Sequence, residues 1–277
     1  MPFTISHIAA VLPVHRSLRH WGFFSAAIVG TMVPDFGFLM PVHVTREATH
    51  SAAALLTFCL PLGLAAFWMF QLLIKPAWCV VLPENWRQRL RAEHPVARLR
   101  DWRVWLGAAA AVLIGAFTHL VWDGFTHEDG HGVQMLPFLD DFGPGIEGHT
   151  FRLYRWLQHL SSVLGLLLVV MAVWRWARGE IRVASAAAGV QTRPARQWPE
   201  LGARERHAWL AAYVLIPASL LLGFVALVLA HLPYRPALGD FLTRLAFLGL
   251  EGAGASLLLV SALIRLRVAL RQPPLDA

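Results

Sequence analysis

The fold class predicted for this chain is all-α: a polytopic membrane helix bundle with five or six transmembrane spans. Three observations carry that expectation. Hydrophobic residues fill 57% of the 277 positions and charged residues only 15%, against about 25% charged in a soluble domain. Mean hydropathy is +0.53, and 12 Trp and 16 Phe stand against three Tyr and a single Lys, the balance of a lipid-facing surface. Several apolar stretches also approach the roughly 20 residues that a helix needs to cross a bilayer core. The same figures exclude a disordered chain, a collagen-like repeat and a disulfide-stapled secreted domain. Cys59 and Cys79 form no C-x-x-C pair, so no thiolate zinc knuckle is expected.

Taken in order, residues 21–40 form the weakest span, because Pro34 and Asp35 interrupt it. Residues 51–74 are uncharged throughout and mostly apolar, with a kink expected at Pro61. Residues 104–122 are rich in Ala and Leu and carry His119 near their end. Residues 160–174 are short but extendable, 209–230 are uncharged, and 241–264 are apolar apart from Arg244 and Glu251. The opening MPFTISHIAAVLP lacks a basic start and a long apolar run, so no cleavable signal peptide is expected.

The connecting segments sort by charge. Residues 75–103 and 175–206 each carry seven Lys or Arg, and Arg265, Arg267 and Arg271 follow the last span. Between them, residues 123–159 hold two Arg against six acids. The positive-inside rule then puts the Arg-rich segments and the C-terminus in the cytoplasm and the 123–159 segment outside. The net charge of +7 therefore reports topology and not a nucleic-acid partner, since no basic patch interleaves with stacking aromatics outside the membrane belts. The partner expected is the lipid bilayer. Domain organisation reads as a metal-site membrane domain over 1–176, an Arg-rich cytoplasmic linker over 177–208, and a helix pair over 209–277.

Thirteen His is a high count for so apolar a chain, and nine lie before residue 132. Ionisable groups in or beside spans are expensive and default to functional hypotheses. The densest run is F-T-H-L-V-W-D-G-F-T-H, residues 117–127. His119 and Asp123 are four apart and share one helical face, where imidazole and carboxylate can clamp one divalent cation. A His–Asp hydrogen bond that only locks a helix is the competing reading. His127 is a further step of four. Asp35 ends an apolar helix, His50 sits at the mouth of the 51–74 span, His159 opens the 160–174 span, and His7 lies in a short apolar N-terminal segment. Topology converges Asp35, His50, the end of the 104–122 span and His159 on one membrane face. Such a nitrogen-and-oxygen donor set suits zinc, and also manganese or iron. His7 joins that face if the first apolar segment enters and returns, which leaves five spans.

These residues resemble known families. M-P-F-T-x-S-H at the start, G-x-x-x-P-D at 30–35, T-H-S at 49–51, H-L-x-W-D-x-F-T-H at 119–127 and Q-H-L-S-S at 158–162 resemble an uncharacterised bacterial multi-pass membrane family over residues 1–175. More distantly, P-D, T-H-S and H-x-x-x-D in that order resemble a bacterial inner-membrane family described as metal-dependent hydrolases, and the zinc-dependent phospholipases C with their related single-strand nucleases. The resemblance implies a cluster of two or more zinc ions. Asp35, His50, His119 and Asp123 would be ligands, with His127 and His159 as further ligands or catalytic acids and His7 as a loose match to an N-terminal ligand. The soluble enzymes carry a later His-x-x-x-Glu pair, whereas Val163 stands four residues after His159.

The function expected is hydrolysis of a phosphoester or other ester of a lipid or lipid-linked substrate, at the outer face of a bacterial inner membrane. Rival expectations are a transporter, for which Glu251 is the only mid-span group and no repeat supplies a second half, and a scaffold of His–Asp helix locks. A further rival is a zinc metalloprotease built on His127-Glu128-x-x-His131, which would require those residues on one helix although Asp129-Gly130 favours a turn. The 128–150 segment is read as a lid or as a disordered acidic loop.

Overall fold

A computed structural model describes residues 4–18, 22–40, 44–92, 101–146, 149–180, 201–231 and 238–271. It is 87% helical, as the all-α class requires. Among the described residues, five helices have the length and apolarity to cross a membrane: Leu55–Val81, Trp102–Thr126, Leu153–Arg178, Ala203–Gly223 and Leu248–Leu270. The sixth candidate resolves into an α-helix, Phe23–Met32, that tightens into a 3-10 turn, Val33–Leu39. Its apolar run, Phe23–Phe38, is too short to count among the spans. Pro34 lies at the start of the 3-10 turn, where a residue without an N–H costs least.

The Leu55–Val81 run passes two prolines by widening rather than breaking. A π-helical turn, Leu55–Cys59, stands just before Pro61, and a second, Phe70–Ile74, just before Pro76. A wider turn absorbs the donor that proline lacks and the bulk of its ring. The run thereby continues beyond residue 74 and takes in Lys75, which is buried.

The chain divides into two compact units, one of residues 1–68 with 93–185 and one of 69–92 with 186–277. In the second unit Ala77, Val80 and Val81 pack on Leu201, Val260, Ile264 and Val268, and the Tyr213 hydroxyl meets Ser261 Oγ at 2.9 Å. Glu251 is exposed in that unit; the side chain of Arg244 and residues 181–200 of the expected linker lie outside the described residues.

The first unit is built on the contact between Phe23–Met32 and Trp102–Thr126. Ala26 and Ala27 meet Ala108, Ala111 and Val112 in its core. Two glycines set the spacing: a Cβ on Gly30 would lie 2.2 Å from the Val112 carbonyl oxygen, and one on Gly115 2.2 Å from that of Ala27. Backbone therefore meets backbone in both directions, as in small-residue helix crossings. The 3-10 segment Thr4–Val14 lies against the Leu153–Arg178 helix, where a Cβ on Gly165 would come within 2.8 Å of the Ser6 carbonyl oxygen. Trp122 Nε1 donates to Ser161 Oγ at 3.2 Å and ties the latter helix to Trp102–Thr126.

The 128–150 segment folds rather than trailing. It forms a short helix, His131–Met135, a 3-10 turn, Pro137–Asp140, and a hairpin of β1 (Phe142–Ile146) and β2 (His149–Arg152). Val133, Leu139 and Tyr154 anchor it in a small core with Phe125.

Candidate metal centre

Four separate segments bring their His and Asp side chains to one place in the first unit. The Thr4–Val14 segment supplies His7, the 3-10 turn supplies Asp35, the short helix Arg46–His50 supplies His50, and Trp102–Thr126 supplies His119 and Asp123. All but His50 fall in the buried class, and the His50 side chain is itself only 6% exposed. His119 and Asp123 share the inner face of their helix, four residues apart.

The distances are nearly uniform. His7 Nε2 lies 3.5 Å from Asp123 Oδ1. His50 Nε2 lies 3.5 Å from both Asp35 Oδ1 and Asp123 Oδ2. His119 Nε2 lies 3.6 Å from Asp35 Oδ1 and 3.5 Å from Asp123 Oδ2. The His7 and His119 rings stack with centroids 3.8 Å apart. Two triads could each hold an ion, His7–His119–Asp123 and Asp35–His50–His119, with ligand atoms within 4.8 Å of one another.

The outer atoms of Asp35, His50, His119 and Asp123 are satisfied and the inner ones are not. His119 Nδ1–H donates to the Thr31 carbonyl at 2.7 Å. The Thr49 hydroxyl donates to the Arg46 carbonyl and accepts from His50 Nδ1–H at 2.6 Å. The Thr4 hydroxyl donates to Asp35 Oδ2 at 2.6 Å, and Arg46 Nη2 donates to Asp123 Oδ2 at 3.1 Å. With Nδ1–H turned outward to these acceptors, the Nε2 atoms of His50 and His119 face two carboxylates. His7 Nε2, Asp35 Oδ1, His50 Nε2, His119 Nε2 and Asp123 Oδ1 are all buried without a hydrogen-bond partner. Leaving even one such atom unpaired is costly; five gathered in one place call for a proton or a metal cation among them. Outside the five spans, burial and then the neighbouring His119 ring pull the His7 imidazole down to about 4, so at neutral pH it is the uncharged ring that a metal requires.

His127 stands beside this group. Its Nδ1–H donates to the Asp123 carbonyl at 3.1 Å, and Gln158 Nε2 reaches its Nε2 at 3.5 Å. Burial lowers its pKa. The structure does not bring His159 into the group: it is exposed on Leu153–Arg178, while Gln158 is buried and turned inward. His127 and His131 share no helical face either. The Trp102–Thr126 helix ends at His127 in extended backbone, Glu128 is exposed, and His131 opens the next helix. An open pocket of about 220 Å³ reaches the group, with His50 and Asp123 on its wall beside Arg46, Asp129 and His131.

Thr4, Thr31, Thr49, Arg46 and Gln158 were not singled out from the sequence. Thr49 and Gln158 fall inside the T-H-S and Q-H-L-S-S motifs. Arg46 lies four residues before His50, hence on the same face of a helix.

A family model described as a domain of unknown function, DUF4184, matches residues 1–262. The chain belongs to the DUF4184 family. The match takes in both units, whereas the recognisable motifs stop near residue 175. No curated protein and no solved structure matches the chain.

Proposed function

We propose that this DUF4184 protein is a membrane-embedded, metal-dependent hydrolase acting on a phosphoester or other ester of a lipid or lipid-linked substrate. The observation that carries the reading is the set of five buried, unpartnered ligand atoms on His7, Asp35, His50, His119 and Asp123. Ligands about 2.0–2.2 Å from a tetrahedral zinc ion stand about 3.3–3.6 Å apart, the spacing found between the facing nitrogens and oxygens. The carbonyl and hydroxyl that receive the far N–H groups of His119 and His50 are the usual outer partners of metal-bound imidazole. Manganese or iron also suits these donors.

The sequence resemblance raises two or more ions. The geometry favours one principal ion, because both candidate triads draw on the same Nε2 of His119. An ion held by His7, Asp35, His50, His119 and Asp123 would supply a water acidified to about pKa 7 and polarisation of the attacked centre. His127, hydrogen-bonded through Nδ1 to the Asp123 carbonyl, would hold or move a proton at Nε2 beside the group.

A lipid substrate is supported by the outer side of the Trp102–Thr126 helix. Phe117, Val121 and Trp122 are exposed there at the level of His119 and Asp123. The charge alternation supports the outer face of a bacterial inner membrane, with the C-terminus in the cytoplasm.

The test is turnover of bis(p-nitrophenyl) phosphate, p-nitrophenyl esters and short-chain phospholipids by detergent-purified protein. The reading expects hydrolysis that EDTA abolishes, zinc restores and Asp123→Asn removes. His127→Gln should lower kcat about 100-fold or more without loss of metal. Metal-loaded protein that turns over none of these substrates contradicts the reading.

A further inference from the structure

The segment between Trp102–Thr126 and Leu153–Arg178 carries more apolar side chains than its small core uses. Val133 and Leu139 turn inward with Tyr154. Met135, Leu136, Phe138 and Phe142 turn outward, at 79%, 40%, 55% and 65% exposure. Single exposed apolar residues are ordinary on a protein surface, but a run of them marks a contact surface. The following helix indicates what that surface meets. Tyr154, Gln158 and Gly165 form its buried face, while Leu160, Val163 and Leu167 are exposed on the other as a lipid-facing stripe. Trp156 stands four residues before Leu160 and seven before Val163, so it heads that stripe. The β1 strand is fastened to this Trp: its Nε1 donates to the Pro144 carbonyl at 3.0 Å, and a Cβ on Gly143 would come within 2.9 Å of its Cδ1. The hairpin therefore lies on the lipid-facing side of the span, at its first turn. Beside it the Arg152 guanidinium lies over the Phe142 ring, 4.1 Å from the centroid. Trp, and an Arg whose head is kept near water, are characteristic of the membrane–water boundary.

We propose that Met135, Leu136, Phe138 and Phe142 are seated in the adjoining bilayer leaflet, between headgroups and acyl chains, so that this segment rests in the membrane surface instead of standing in water. The occupant is lipid and not a second chain, because the patch adjoins a stripe that already faces lipid. The contact is apolar and not electrostatic. Asp140 and Asp141 are exposed beside the patch, and Asp140 Oδ2 lies 3.6 Å from Arg152 Nη1, so anionic headgroups are not what it recognises. One consequence reaches the pocket. The short helix His131–Met135 has His131 on the pocket wall and Met135 in the patch, about 6 Å further along its axis. Seating Met135 in the leaflet therefore holds the pocket mouth at headgroup depth, whatever chemistry the His and Asp group performs.

The experiment is spin labelling of the full chain at Met135→Cys, Phe138→Cys and Phe142→Cys, one at a time, in phosphatidylcholine nanodiscs. Glu128→Cys, at an exposed charged position, is the water-facing control. Cys59 and Cys79 are buried, and the wild-type chain taken through the same labelling gives their background. Power saturation compares collisions with oxygen, which concentrates in lipid, and with a nickel chelate, which stays in water. The expected result is that the three patch labels favour oxygen, at about 5–10 Å below the phosphates, while the Glu128 label favours nickel. The depth should be unchanged at high salt, where surface electrostatics are screened. These are exposed positions, so each variant should keep the wild-type Tm, and the three are read independently should one fail to fold. Nickel contact at all three equal to that at Glu128 would place the patch in water and overturn the proposal. Labels sheltered from both probes and broadened by one another would place a second copy on the patch, which overturns it as well. So would a depth that appears only with anionic lipid and is lost at high salt.

Discussion

The ring nitrogens of His119 point in opposite directions: Nδ1 donates to the carbonyl of Thr31, 88 residues away, and the unpartnered Nε2 faces Asp35 and Asp123. That carbonyl selects the tautomer. The Thr49 hydroxyl does the same for His50, which makes it the simplest residue with which to test the ligand set from outside it. Thr49→Val should keep the fold and weaken metal affinity about 10- to 100-fold, read by competition with a fluorescent zinc chelator. His159→Ala should leave metal affinity unchanged in the same assay. His119 and Asp123 were legible in the sequence because their spacing of four defines a shared face. His159 and Gln158 were not separable, because adjacent residues on a helix point about 100° apart and only the neighbouring elements determine which one turns inward. Arg46 was hidden for a different reason: its partner Asp123 lies 77 positions away.

At the level of elements, the centre depends on how closely two helices approach. Gly30 and Gly115 allow Phe23–Met32 to touch Trp102–Thr126 backbone to backbone, and that contact carries the Thr31 carbonyl to His119. Gly115→Ala would put a methyl group about where the Ala27 carbonyl oxygen and Thr31 nitrogen stand. Overpacking of this kind costs roughly 1–3 kcal/mol. The variant should show a lowered Tm and weakened metal binding together, while Gly252→Ala, with open space around it, should change neither. The apolar stretches made the spans legible, but their ends were not. The span was read as ending at residue 74, where the basic segment begins with Lys75, yet π turns ahead of each proline keep the helix going to Val81. The 128–150 segment looked loop-like because its Gly and Pro hide a small core that forms only against Phe125 and Tyr154.

For the molecule as a whole, the proposed ligands come from segments far apart in sequence, so metal binding there would be linked to the folded structure. A ligand that binds only the folded state stabilises it by about 4 kcal/mol at 1,000 times its Kd. Zinc should therefore raise the Tm of detergent-solubilised, EDTA-treated protein, and Asp123→Ala should abolish the increase. The five-span arrangement is consistent with His7 and Asp35 meeting, because an N-terminal apolar segment that does not cross leaves both on the side where His50 and Asp123 lie. Composition and charge alternation were sufficient to read the membrane class. The place of His7 beside Asp123 was only loosely legible, since it depends on the first segment packing against the Leu153–Arg178 helix.

The central claim is that the inward-facing His and Asp atoms hold a metal ion, and elemental mass spectrometry of detergent-purified protein tests it most directly. The account predicts about one equivalent of zinc per chain, absent from a His119→Ala/Asp123→Ala double variant that still purifies as a folded membrane protein. Wild-type protein without metal, even after zinc is supplied, would contradict the account and leave the His–Asp contacts as locks between helices.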